Sequence, residues 1–318
     1  MEREAFSALR KQAKVLKQSN WTSAWWVLRA SIVTAIWIYL LSHGSMWALA
    51  AGSPLALVVI FNWVSILHEC GHGHFFTGRW RWVNTAAGLV GSWFCLLPYE
   101  QWRSTHLIHH RWTGYIDKDP TTSGSNDTIF RERQKAIIDF AWKYSIPLFI
   151  PSFYVRTFWN PFLSLEFAKT TQQKIFQIFC LVFMFAPYIV LGSLYGGSFF
   201  LALLPGHLFA IWFSDPFLLS QHVYLPRMIS TEVEGEVKPI SVREQDRFTR
   251  EVTFPAWIAN MVFMNFNYHV GHHFFPTLPA YHLAKLDYHA PIRMPFSTWW
   301  RKAKRIPGHV LLAESGDL

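Results

Sequence analysis

Histidines spaced three or four residues apart are the side chains in this sequence best suited to chemistry. His68 and His72 form one group, His106, His109 and His110 a second, and His269, His272 and His273 a third. On a helix, positions i, i+3 and i+4 share a face, so each group offers its imidazoles together. Three such faces converging would gather eight ring nitrogens, more than one tetrahedral zinc uses and enough for two metals. Neutral imidazole suits iron, copper, zinc and manganese alike, so ligand type alone does not choose the metal. The second and third groups repeat one pattern, HxxHH, as HLIHH and HVGHH. The first, HECGH, is also a literal HExxH, the zinc-protease signature in which the glutamate is the general base. A protease site needs one further ligand, whereas this chain offers two more triplets, and Gly71 weakens the motif as an ordinary helix interior. Glu69 then reads as a partner holding a ring nitrogen, or as a polar residue at the helix cap.

The elements that must position these groups are membrane helices. Only 15% of the 318 residues are charged and 51% are apolar, against about 25% charged in a soluble domain. The 17 Trp and 11 Tyr favour a membrane–water interface, where an amphipathic ring sits half in hydrocarbon. Mean hydropathy is only slightly positive, so a sizeable part must face water. Four apolar stretches are long enough to span: Ala24–Leu41, Leu55–Leu67 continuing as helix through His72, Ile175–Leu194 and Phe199–Leu219. Two weaker ones, Val83–Leu97 and Phe140–Phe158, carry Gly, Pro or basic residues and read as interfacial or re-entrant. The first 20 residues are polar and basic, without a cleavable signal pattern, and read as an amphipathic lead-in.

Charge sets the expected orientation. The connections 42–54 and 192–198 contain no Lys or Arg, whereas Lys11, Lys14, Lys17, Arg79, Arg81, Arg103 and Arg111 lie outside them. The positive-inside rule puts both termini and the long segments in the cytoplasm. The expected architecture is an all-α integral membrane protein of one domain, 1–318. Its four transmembrane helices form two hairpins, and a cytoplasmic helical cap, 73–174 and 220–318, carries the histidines. A net charge of +9 suits anionic headgroups, an acidic carrier or an electron donor. Basic residues scattered between apolar segments argue against nucleic acid. Cys70, Cys95 and Cys180 form neither a CxxC pair nor a disulfide framework.

At the histidines the chain resembles the membrane fatty-acid desaturases and their hydroxylase relatives. HECGH, HLIHH and HVGHH are similar to the three histidine boxes of that family. Pro98-Tyr99, Trp102 and Arg103 before the second box, Thr113-Gly114 after it, and Phe274, Phe275, Pro276, Pro279 and Tyr281 after the third extend the likeness. The resemblance implies a non-haem centre of two iron ions that uses O2 and two electrons to convert an acyl C–H pair into a double bond. It also implies a ninth ligand, His222, which ends the fourth apolar stretch as His68 ends the second. Hydroxylation, triple-bond formation and carotenoid-type oxygenation remain open on the same scaffold. A non-enzymatic metal-binding or transport protein would place its ligands nearer mid-membrane.

Asp117, Asp119 and Asn265 are candidates to orient the ligand rings, while Trp93, Phe94, Trp102 and Trp112 are candidates to line an acyl channel. His74, His43, His207, His282, His289 and His309 are expected outside the metal site, the last three at the surface or facing headgroups. The sequence has no haem or iron–sulfur signature and no dinucleotide fingerprint. Electrons are therefore expected from a separate ferredoxin, or from a cytochrome b5 with its reductase.

Overall fold

The computed structural model describes residues 1–43, 45–122, 130–166, 168–316 and 318. Helix α1 (Arg3–Val15) leads into α2 (Asn20–Ser42) and α3 (Met46–Gly71). The short helices α4 (Trp82–Cys95), α5 (Tyr99–Trp112), α6 (Glu132–Lys143), α7 (Phe149–Phe153) and α8 (Pro161–Glu166) come next. Then follow the long α9 (Thr171–Tyr195) and α10 (Gly197–His222). The C-terminal part holds α11 (Ala256–Met261), α12 (His269–Phe274), α13 (Ala280–Leu283), α14 (Phe296–Ala303) and α15 (Gly308–Ala313). One parallel strand pair, β1 (Glu251–Thr253) and β2 (Arg293–Pro295), joins them. The fold is all-α in character, and α2, α3, α9 and α10 are long and apolar enough to cross a membrane.

Sequence explains the ends of these four helices. The Ser19, Ser45 and Thr170 hydroxyls accept from Thr22, Ala48 and Gln173 backbone N–H groups, satisfying donors that a helix start leaves orphaned. That cap and the run Ala48-Leu49-Ala50-Ala51 start α3 at Met46, ahead of the apolar stretch that predicts it, with Pro54 inside the helix. Gly196 lies at φ +61° between α9 and α10, a conformation that costs glycine least. Each pair is thus a hairpin with a very short link. Ile32, Ile36, Val182, Ile189, Leu201 and Leu208 point outward, exposed, as a lipid-facing surface requires.

Small residues let α3 sit at the centre. A Cβ on Gly206 of α10 would fall 2.7 Å from Ala56, and one on Gly91 of α4 would fall 3.2 Å from the Trp63 carbonyl. The Trp63 indole donates to Thr34 Oγ1 at 2.9 Å, tying α3 to α2. Helix α4 has 14 residues, about 21 Å at 1.5 Å per residue, short of a full span. The Phe140–Phe158 stretch is broken into the end of α6, the five-residue α7 and a five-residue π-turn. Neither weak stretch forms a spanning helix.

Candidate metal centre

The C-terminal ends of α3 and α10, together with α5 and α12, bring the histidines together. His68 lies in the last turn of α3, and His72 caps it, because the helix stops at Gly71. The second box rides on α5, the third on α12, and His222 is the last residue of α10. Arg250, fully buried, fixes that last turn by donating to the carbonyls of Ser220 (2.8 Å), Val223 (3.1 Å) and Tyr224 (3.3 Å).

All nine histidines singled out from the sequence enter the cluster, and they divide into two sets. His68, His72, His106, His110 and His272 form one; His109, His222, His269 and His273 form the other. Within each set the available ring nitrogens lie within 4.8 Å of one another. Sequence reasoning placed each box on a single face; the helices instead split each HxxHH. Successive residues are about 100° apart around a helix, so His109 and His110 must diverge, while positions i and i+4 align. His106 and His110 therefore serve the first set and His109 the second. In box three the roles reverse, with His269 and His273 in the second set and His272 in the first.

The donor chemistry fits a pair of cations. Nε2 atoms face each other at 3.1 Å (His72–His106), 2.9 Å (His106–His110), 2.9 Å (His110–His272), 2.6 Å (His222–His269) and 3.1 Å (His269–His273). Each neutral imidazole has one N–H and one lone pair. Hydrogen bonds therefore cannot satisfy such converging nitrogens without leaving lone pairs opposed. A spacing near 3 Å is what ligands about 2.1 Å from a shared ion adopt at right angles. Among the described residues, Nε2 of His68 is buried without a hydrogen-bond partner, as are Nδ1 of His110, His269 and His272.

Four rings are held from behind at Nδ1. Asp119 Oδ2 faces His109 at 2.7 Å, Gln245 Oε1 faces His273 at 2.9 Å, the Phe248 carbonyl faces His222 at 3.2 Å, and Glu69 Oε1 faces His68 at 3.2 Å. An acceptor at Nδ1 keeps the proton there and leaves the Nε2 lone pair aimed inward. Burial, and then the charge that neighbouring imidazoles would carry, push His106, His110, His269, His272 and His273 well below the ordinary histidine value. These rings are neutral at physiological pH, the state a ligand needs. For Asp119, burial raises the carboxyl pKa, but the His109 ring and hydrogen bonds from His109 and Thr121 outweigh it, and the net shift is downward.

The sequence profile of the fatty acid desaturase family matches residues 45–302, most of the chain and every one of these histidines. The chain belongs to the fatty acid desaturase family. This desaturase is 24% identical over 283 residues to an endoplasmic-reticulum omega-3 fatty acid desaturase of Vigna radiata var. radiata, covering 85% of this chain and 72% of the relative. It is 25% identical over 231 residues to a chloroplastic sn-2 acyl-lipid omega-3 desaturase (ferredoxin) of Arabidopsis thaliana, covering 69% and 51%. An acyl-lipid omega-3 desaturase (cytochrome b5) of the same plant is 24% identical over 230 residues, covering 68% and 56%.

Around the desaturase's histidines, some expectations need correcting. Asp117 accepts from the Ser230 backbone and hydroxyl, away from the rings. Asn265 donates to the Ala280 carbonyl at 3.2 Å, and Glu69 Oε2 accepts from the Ala280 N–H at 3.0 Å, so Asn265 reaches His68 only through Ala280 and Glu69. His282 is buried rather than at the surface, its ring 2.9 Å from the Lys17 carbonyl. Trp102 stacks on His106 with ring centroids 4.5 Å apart, whereas Trp112 stands against Arg111, Lys118 and Tyr115. His74 is exposed and outside both sets.

Four contributors escaped sequence reasoning. Gln245 is buried and donates to the His110 carbonyl at 2.9 Å while facing His273, so one amide joins two boxes. Thr121 donates to Asp119 Oδ1 at 2.8 Å and sits 3.1 Å from His109 Nδ1. Arg250 belongs with them. Tyr288 accepts from the Gly271 N–H at 3.1 Å and donates to Glu251, anchoring the third box to β1. The only local signal for Thr121 was its closeness to Asp119; the others lie far along the chain from what they hold.

Proposed function

We propose that the chain introduces a carbon–carbon double bond into a fatty acyl chain, using O2 and electrons from a separate donor, at two iron ions held by the nine histidines. Family membership supports desaturation, and the observation that carries the metal assignment is the division of nine inward-facing imidazoles into a set of five and a set of four. When bound, such a pair supplies O2-dependent removal of two hydrogens from an unactivated methylene pair. The polypeptide's part is to position and protect. Glu69, Asp119 and Gln245 keep the proton on the outer ring nitrogen, and Trp102 and Phe266 pack edge-on against His68, excluding water from that side.

The proposed assembly is a single domain with its termini and histidines on the cytoplasmic side, supported by the Lys and Arg distribution. The names of relatives support an acyl-lipid substrate and a ferredoxin or cytochrome b5 as donor. Expression with a matched reductant, followed by acyl-chain profiling, tests this reading. A new double bond that disappears in His109→Ala and His272→Ala supports it. An added oxygen would make the chain a hydroxylase, and product unchanged by either substitution would overturn the metal assignment.

A further inference from the structure

A cavity of about 510 Å³, lined largely by polar residue types and by no box histidine, opens beside the histidine cluster. Its walls include Gly73, Arg81, Asn84, Arg103, Thr170 and Gln173. Gly73 directly follows the first box, and Arg103 lies three residues before the second. Arg103 uses Nε on the Gly71 carbonyl (3.1 Å) and Nη1 on the Glu100 carboxylate (3.1 Å), leaving Nη2 without a hydrogen bond among the described residues. The exposed Arg81 guanidinium has no ion-pair partner among the described residues. Asn84 anchors its backbone, donating to the Arg81 carbonyl at 3.0 Å and to the Phe76 carbonyl at 2.8 Å.

Charge and position both specify a ligand. Two guanidinium groups against one carboxylate, Glu100, leave the walls net positive. The N-terminus of the 25-residue α9, with no acidic residue in its first turn, adds its positive dipole end. The cavity also lies where one apolar helix ends (Gly71) and another begins (Thr171), which is the membrane interface for both. Arg81 is flanked by Trp80 and Trp82, 45% and 65% exposed, side chains that favour headgroup depth.

We propose that this cavity holds the phosphodiester of a membrane phospholipid, with Arg81 and Arg103 Nη2 donating to its oxygens, and so docks the substrate by its headgroup. This rests on the acyl-lipid reading above and adds the site at which the lipid is gripped. No bond is made or broken there.

Native mass spectrometry of the full chain in a neutral detergent tests the site by binding alone. The probes are dioleoyl phosphatidylglycerol, dioleoylglycerol with the same acyl chains and no phosphate, and inorganic phosphate. Phosphatidylglycerol should bind at least about tenfold more tightly than dioleoylglycerol, as expected for losing one charge-assisted hydrogen bond. Arg81→Ala and Arg81→Glu should weaken the phospholipid by about tenfold or more, Arg81→Lys should restore it to within about threefold, and dioleoylglycerol should not respond. Unchanged metal content in each variant would show that the fold is kept. Equal binding of the two lipids, or phospholipid binding indifferent to Arg81→Glu, would overturn the proposal. Inorganic phosphate binding as tightly as the phospholipid would make this a free-anion site and overturn the lipid assignment. Binding as predicted in a chain that forms no double bond would overturn the desaturase reading alone.

Discussion

Gln245 links two histidine boxes through one amide: its Oε1 lies 2.9 Å from His273 Nδ1 while its Nε2 donates to the His110 carbonyl. Because the carbonyl claims the NH2 end, the oxygen must face the ring. The proton therefore stays on Nδ1, and Nε2 is left for a metal. Gln245→Ala should release His273 and weaken metal binding about 10–100-fold, measured by chelator competition. Gln245→Glu keeps the acceptor and loses the donor to His110, and should retain more metal than the alanine variant.

Asp119 does the same for His109, with Thr121 fixing the carboxylate. Asp119→Asn should cost about 10–100-fold in metal affinity, because the amide can present its NH2 to Nδ1 and favour the wrong tautomer. Thr121→Ala should cost less, since only the carboxylate's orientation is freed.

The split of each HxxHH predicts a specific non-equivalence. His109 and His222 belong to one set and His110 to the other. The double variant His109→Ala/His222→Ala takes two ligands from one set and none from the other, and should keep one tightly held ion per chain, whereas His109→Ala/His110→Ala, though adjacent in sequence, takes one from each and should weaken both. Metal analysis of the purified variants checks this; equal retention by the two doubles would contradict two separate sets.

Much of this was legible in the sequence. The four long helices follow from apolar length, and the nine histidines from spacing and family resemblance. The single face expected for each triplet was wrong: His109 and His110 point about 100° apart, so each HxxHH divides between the two sets. The holding residues were not legible. Gln245, Arg250 and Tyr288 act through contacts between segments far apart in the chain, and no local pattern marks an amide or tyrosine for such work. Asp117 was misplaced for the complementary reason: closeness in sequence to His110 does not aim a side chain at the ring.

Gly71 ends α3 where a ring packs close against the backbone. A Cβ there would lie 2.5 Å from the Trp102 ring, which stacks on His106. Gly71→Ala should push that ring against the second box, lowering both metal content and stability, the latter by about 1–3 kcal/mol. Thermal unfolding and metal analysis together check this.

Acid should act on the metal-free chain in a set direction. The five rings with depressed pKa values stay neutral in the fold, whereas in the unfolded chain they protonate below about pH 6.5. The unfolded state then binds more protons, so stability falls as pH drops below about 6.5, by up to about 1.4 kcal/mol per pH unit for each ring. Unfolding curves of metal-free protein should be level above about pH 7.5 and shift steadily downward below pH 6.5.

The most direct test of the central claim is metal analysis of the full-length chain purified from iron-replete cells. Nine imidazoles in sets of five and four predict two iron ions per polypeptide. A single ion per chain, or zinc in place of iron, would contradict the account.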